Sequence, residues 1–135
     1  MAKVNEKVLL FNFQDEATIE QLRVICREMN LSIQMVPKDA WNQKVGYLLG
    51  KRGFVEAKAD EEVQFVFSDE VLIFSHLTNK RLDQFLKKMK DNAVPPIIYK
   101  AVVTSFNTLW TLRRLCETMQ KEHGAVAEWK KTNGK

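Results

Sequence analysis

Apolar residues recur along this chain at two spacings, and the change from one to the other marks out its elements. Residues 8–13, Val8-Leu9-Leu10-Phe11-Asn12-Phe13, form a short and nearly continuous apolar run that reads as a mostly buried strand. Ile19, Leu22, Cys26 and Met29 follow at three- and four-residue steps, the stripe of a helix lying on a core. Asp15 or Thr18 caps it, and Thr18 with Gln21 has capping-box spacing. Residues 31–36 alternate with period two, which marks a strand with one wet face, and Pro37 ends it. A second helix is expected from about Asp39, turning Trp41, Val45, Leu48 and Leu49 inward, with Gly50 as its left-handed cap.

The same order then starts again. Residues 71–74 read as a strand, and Thr78 or Asn79 caps a helix striped by Leu82, Phe85, Leu86 and Met89. Pro95-Pro96 stops that helix, and residues 97–103 make the strongest strand pattern in the chain. Asn107 or Thr108 opens a last helix with Leu109, Leu112, Leu115, Cys116 and Met119 inward, ending or fraying near Gly124 before a mobile tail. Between the halves, residues 58–62 are polar and acidic. Residues 63–67 could add an edge strand.

Val8, Leu10, Phe11, Ile19, Leu22 and Cys26 match Val71, Ile73, Phe74, Leu82, Phe85 and Met89 at a constant offset of 63. After an insertion the offset becomes 67, pairing Val36 with Val103, Val45 with Leu112 and Leu48 with Leu115. Agreement in element order, length and register together predicts a single α/β domain over residues 1–135. It would hold two βαβα pseudo-repeats at about 7–53 and 70–123, a connection at 54–69 and a tail at 124–135. The expected architecture is a four- or five-stranded, mainly parallel or mixed sheet flanked by helices, with the alternating second strand at an edge. The alternative is two small units packed face to face without a shared sheet.

Charge divides the chain unevenly. The net charge is +4, but residues 1–70 hold 9 Lys and Arg against 12 Asp and Glu, whereas residues 71–135 hold 12 against 5. A basic second half raises nucleic acid as a partner. Lys80, Arg81, Lys87 and Lys88 lie on the side of the third helix away from its apolar stripe, and Arg113 and Arg114 do likewise on the fourth. Such stripes bind phosphates in some proteins, yet they also keep any helix's outer face wet, and the second reading is favoured. No run of apolar residues is long enough to span a membrane, and the start of the chain is too soon charged for a secretory signal, so a cytoplasmic protein is expected. Cys26 and Cys116 fall on apolar helix faces, outside any Cys-x-x-Cys or Cys/His cluster, and read as buried free thiols. No cofactor or metal site is expected.

Candidate chemistry gathers at strand ends, where ligands of open α/β sheets sit. Residues 104–108 are the best placed, with Thr104, Ser105 and Asn107 able to meet an anion, although caps and turns use the same residue types. Lys100 interrupts an apolar strand between Ile98 and Val102. It is either a buried amine of depressed pKa or a side chain whose stem crosses the sheet to water. Gly46, Gly50, Lys51 and Gly53 lack the spacing of a phosphate loop and follow a helix, so a structural cap is the better account. His76 and His123 lie in different elements, with no motif joining them to a cysteine.

Two stretches carry a family resemblance: Gly46-Tyr47-Leu48-Leu49-Gly50-Lys51-Arg52-Gly53-Phe54, and Pro95-Pro96 with Lys100-Ala101-Val102-Val103-Thr104, Asn107, Trp110, Leu115, Glu117 and Glu122-His123. Over nearly the whole chain they resemble a bacterial family of uncharacterised proteins, the domain of unknown function 3783. Where that family tends to have Pro-Thr, this chain has Ser105-Phe106. The resemblance implies no activity. The residues point first to a non-enzymatic binding module for a small ligand or a protein, or a homodimer, using the 104–110 rim or a sheet edge. Second comes nucleic-acid binding through Lys87, Lys88, Arg113 and Arg114, and third an enzyme with Lys100 and Thr104 at its site.

Overall fold

The computed structural model describes residues 6–58 and 67–132, with side chains through Glu122. The expected strand at 63–67 therefore lies almost wholly outside the described residues, as do the acidic stretch from residue 59 and the last residues of the tail. The fold is α/β, and its residues fall into two compact units: Met1–Asp39 with Ser68–Thr104, and Ala40–Phe67 with Ser105–Lys135.

The first unit is a four-stranded mixed sheet in the order β2-β1-β3-β4, from β1 (Lys7–Phe11), β2 (Ser32–Val36), β3 (Val71–Ser75) and β4 (Tyr99–Val102). β1 and β2 run parallel, as do β3 and β4, while β1 and β3 are antiparallel and pair about Leu9 and Ile73. The strands of both halves thus share one sheet, which excludes two units without one. The centre of the sheet is antiparallel rather than parallel. Helices α1 (Glu16–Glu28) and α3 (Asn79–Asp91) connect each parallel pair. Both helices pack on one sheet face, where Leu22, Ile25, Cys26, Phe85 and Met89 meet Val8, Leu10, Leu72 and Phe74. Phe74 and Phe85 meet edge to face, 5.1 Å between ring centres.

That core corrects the strand register read from sequence. Leu10 stands opposite Leu72 and Val8 opposite Phe74, all in the helix-covered core. Leu72, 64 residues on, and not Val71, thus shares the helix-covered core with Val8. A slip of one residue sends a strand's side chains to the other face, and Val71 and Ile73 point away from this core. The strand ends show the same step: Asn12 and His76 both take positive φ, 65° and 67°, just after β1 and β3. The helices keep the offset of 63, each being 13 residues long.

β2 is an edge strand, as its alternation predicts. β4, within the stretch that makes the strongest strand pattern in the chain, is the other edge. Tyr99 and Ala101 are buried, but Lys100 and Val102 are exposed. Arg81 ties the unit together from its basic stripe: its Nε donates to Glu6 Oε2 at 2.6 Å and its Nη2 to the Met29 carbonyl. These charge-assisted bonds join the start of α3 to the entry of β1 and the end of α1.

The second unit contains α2 (Val45–Leu48), α4 (Leu112–Thr132) and a 3-10 turn before each, Ala40–Asn42 and Asn107–Leu109. The expected helices from Asp39 and from Asn107 or Thr108 are both interrupted, for one reason. Lys44 and Thr111 pair in an antiparallel bridge, with Val45 N–H donating to the Trp110 carbonyl and Leu112 N–H to the Gln43 carbonyl, each at 2.9 Å. Extended backbone at these positions cannot belong to a helix. Each 3-10 turn then packs on the other segment's helix. α4 runs through Gly124 to Thr132, past the expected end.

α2 ends in a Schellman cap: Gly50 N–H bonds the Tyr47 carbonyl and Lys51 N–H the Gly46 carbonyl, with Gly50 at φ 74°. The Phe54 ring folds back onto Gly46 so closely that an added Cβ would overlap it. Gly46→Ala is expected to destabilise the fold by about 1–3 kcal/mol through overpacking. Chemical denaturation checks this, and the loss should shrink in a Phe54→Ala background. The segment after Phe54 is held by Gln43, whose side-chain amide donates to the Ala57 carbonyl and accepts from its N–H.

Candidate functional site

The candidate residues Lys100, Thr104, Ser105 and Asn107 do not share one unit. Lys100 and Thr104 belong to the first, Ser105 and Asn107 to the second. Lys100 is exposed, and its ammonium donates to the Ile97 carbonyl. It is therefore not a buried amine, and its ammonium turns back to a carbonyl of its own segment rather than crossing the sheet to water. Thr104 and Ser105 are exposed and Asn107 half-buried.

The turn at 105–110 in the second unit carries a feature that sequence periodicity hides. Phe106 is 77% exposed and Leu109 61%. Leu109 had the spacing of an inward residue, with Leu112 and Leu115. The backbone break at Thr111 rotates it out of that stripe, and Thr108 is buried in its place. The turn is fixed by backbone bonds from Leu109 N–H to Phe106 O at 3.3 Å and from Trp110 N–H to Asn107 O at 3.0 Å. Residues three apart on a 3-10 turn eclipse, so Phe106 and Leu109 project to one side. The Arg114 guanidinium lies over the Trp110 ring, 4.4 Å from its centre, and Arg114 N–H caps on the Thr111 hydroxyl.

The basic residues are not equivalent. Lys87 pairs with Asp91 at 3.1 Å, Lys88 with Glu28 at 3.3 Å, and Arg113 with Glu117 at 3.3 Å while also facing Trp41. Among the described residues, no carboxylate pairs with Arg114. Three of the four proposed phosphate-binding cations are thus partly neutralised in place.

At one end of the first unit's sheet, Ser68, Asp69, Glu70, Pro96, Ile97 and Ile98 line an open groove of about 330 Å³. It lies before β3 and β4, at the opposite end from the strand-end loop that carries Thr104. Glu70 there has its pKa raised by partial burial and by the charge of Asp15. The hydroxyl of Thr18 donates to Asp15 at 2.7 Å and holds that carboxyl below its ordinary pKa. Cys26 and Cys116 are buried free thiols. His76 lies beside Ser75, with 3.0 Å between Nδ1 and Oγ.

These features define a mixed α/β protein with two large exposed apolar side chains, Phe106 and Leu109, on a short turn before its last helix. Residues 70–126, from the entry of β3 into α4, match the model of the family described as domain of unknown function (DUF3783). The match takes in Lys100 to Thr104, Asn107 and Trp110. It does not extend to residues 46–54, so the resemblance over nearly the whole chain is shown for the second half only. No curated protein and no solved structure matches the chain. No helix among the described residues is long and apolar enough to cross a membrane.

Proposed function

We propose that this protein is a cytoplasmic, non-enzymatic binding module, built from two copies of one βαβα unit, that docks a partner protein through Phe106 and Leu109. The observation that supports this reading is the exposure of both side chains, 77% and 61%, on a turn fixed by backbone hydrogen bonds. Covering a large apolar side chain is worth about 1.5–3 kcal/mol, so two adjacent ones supply a docking core. The local pairing of Lys87, Lys88 and Arg113 speaks against a polyanion, which needs several uncommitted cations.

The test is cross-linking in extracts of the native cell, comparing the wild-type chain with a Phe106→Ser/Leu109→Ser variant whose circular dichroism and Tm are unchanged. The wild type should carry a partner band that the variant loses. Identical bands from both proteins would overturn the reading, as would a nuclease-sensitive band.

A further inference from the structure

We infer that the partner segment taken by Phe106 and Leu109 carries a carboxylate beside large apolar side chains, and that Arg114 receives that carboxylate; this rests on the docking reading above. The argument starts from differences among the cations. Lys87, Lys88 and Arg113 each have a carboxylate within 3.3 Å, whereas Arg114 has none among the described residues. Arg114 is exposed, yet its guanidinium is not loose: it is laid on the Trp110 ring at 4.4 Å, one residue from Leu109. A stacked guanidinium keeps its in-plane N–H donors directed outward, which is the geometry that a carboxylate accepts in bidentate fashion. Because the stack holds the fork in place, less side-chain freedom is lost when a carboxylate binds.

Phe106, Leu109, Trp110 and Arg114 follow one another along a turn and the first coil of α4, so the Arg114 cation, held on the Trp110 ring, stands within a few residues of the exposed apolar pair. A phosphate backbone would need more than one such cation. A peptide with one Asp or Glu next to Leu or Phe satisfies both the cation and the apolar pair.

The inference is tested by fluorescence anisotropy with labelled peptides Leu-Glu-Phe-Glu-Leu and Leu-Gln-Phe-Gln-Leu, and with a short oligothymidylate. The acidic peptide should bind the wild type about tenfold more tightly than its amide counterpart, a difference of about 1.4 kcal/mol. Arg114→Gln should remove that difference, and Arg114→Lys should not restore it, since an ammonium does not stack as a fork. Equal binding of the two peptides, both lost in Phe106→Ser/Leu109→Ser, would overturn the carboxylate assignment and leave apolar docking standing. Absence of peptide binding, with the cellular partner still lost in that double variant, would do the same. If the oligothymidylate alone bound, with affinity falling steeply in salt, both the carboxylate and the docking reading would fall.

Discussion

Truncating Phe85 to alanine is expected to lower the unfolding free energy by about 3–5 kcal/mol. Phe85 has no exposed surface and fills the space between α3 and the sheet, with its ring edge to face on Phe74 at 75°. The truncation removes apolar contact, leaves a cavity that a close-packed interior does not refill, and breaks an aromatic pair worth about 0.5–1.5 kcal/mol by itself. Domains are stable by only about 5–15 kcal/mol in total, so this single change takes a large share. Urea titration should show the midpoint falling with the slope unchanged. Phe106→Ala is the control, because a ring that is 77% exposed supports little of the fold. Its loss should stay within about 0.5 kcal/mol. Similar losses from the two variants would show that Phe85 is not part of the core that α3 places on the sheet.

The contrast between these two phenylalanines also marks where sequence patterns inform and where they stop. Amphipathic helices are legible because one face must be polar: Ile19, Leu22 and Cys26 on α1, and Leu82, Phe85 and Met89 on α3, all point to the core that their spacing predicts. β1 and β3 are apolar at nearly every position, so their pattern marks a strand without saying which residues share a face. The register shift from Val71 to Leu72 follows from that ambiguity. The break at Lys44 and Thr111 was illegible for a different reason. It is made by a bridge between residues 67 apart, and nothing local announces it. Once it forms, Leu109 leaves the helix whose stripe it had seemed to extend, and Phe106 and Leu109 become surface.

The candidate site depends on the same long-range facts. Lys87, Lys88, Arg113 and Arg114 look alike as letters. They differ because Glu28 comes across from another helix, Asp91 and Glu117 lie one turn on, and Trp110 supplies a ring. The two ion pairs within a helix could be read from their four-residue spacing. The contact between α1 and α3 could not. Likewise, Gly46 and Gly50 were readable as a cap, whereas the return of Phe54 onto Gly46 emerges only from the folded chain.

Raising the pH should destabilise the protein steeply through its two buried thiols. Burial pushes Cys26 up from 9.0 to about 12, and burial with the charge of Glu117 does the same for Cys116. Below pH 9 both thiols are protonated in the folded and unfolded chains, and their contribution to stability is constant. Between pH 9 and about 12 the unfolded thiols ionise while the folded ones stay protonated. The unfolded chain then binds fewer protons, so the unfolding free energy falls as pH rises. Each fully shifted thiol contributes a slope of about 1.4 kcal/mol per pH unit, or about 4 kcal/mol over the whole window. Lysines and tyrosines titrate in the same range, so the informative quantity is the difference in slope between the wild type and Cys26→Ala or Cys116→Ala. Each substitution should flatten the fall by about 1.4 kcal/mol per unit, whatever it costs in absolute stability at neutral pH. Unchanged slopes in both variants would mean that the thiols reach water in the folded state. A thiol reagent would then label them in the native protein at mildly alkaline pH, whereas buried protonated thiols should react only after denaturant is added.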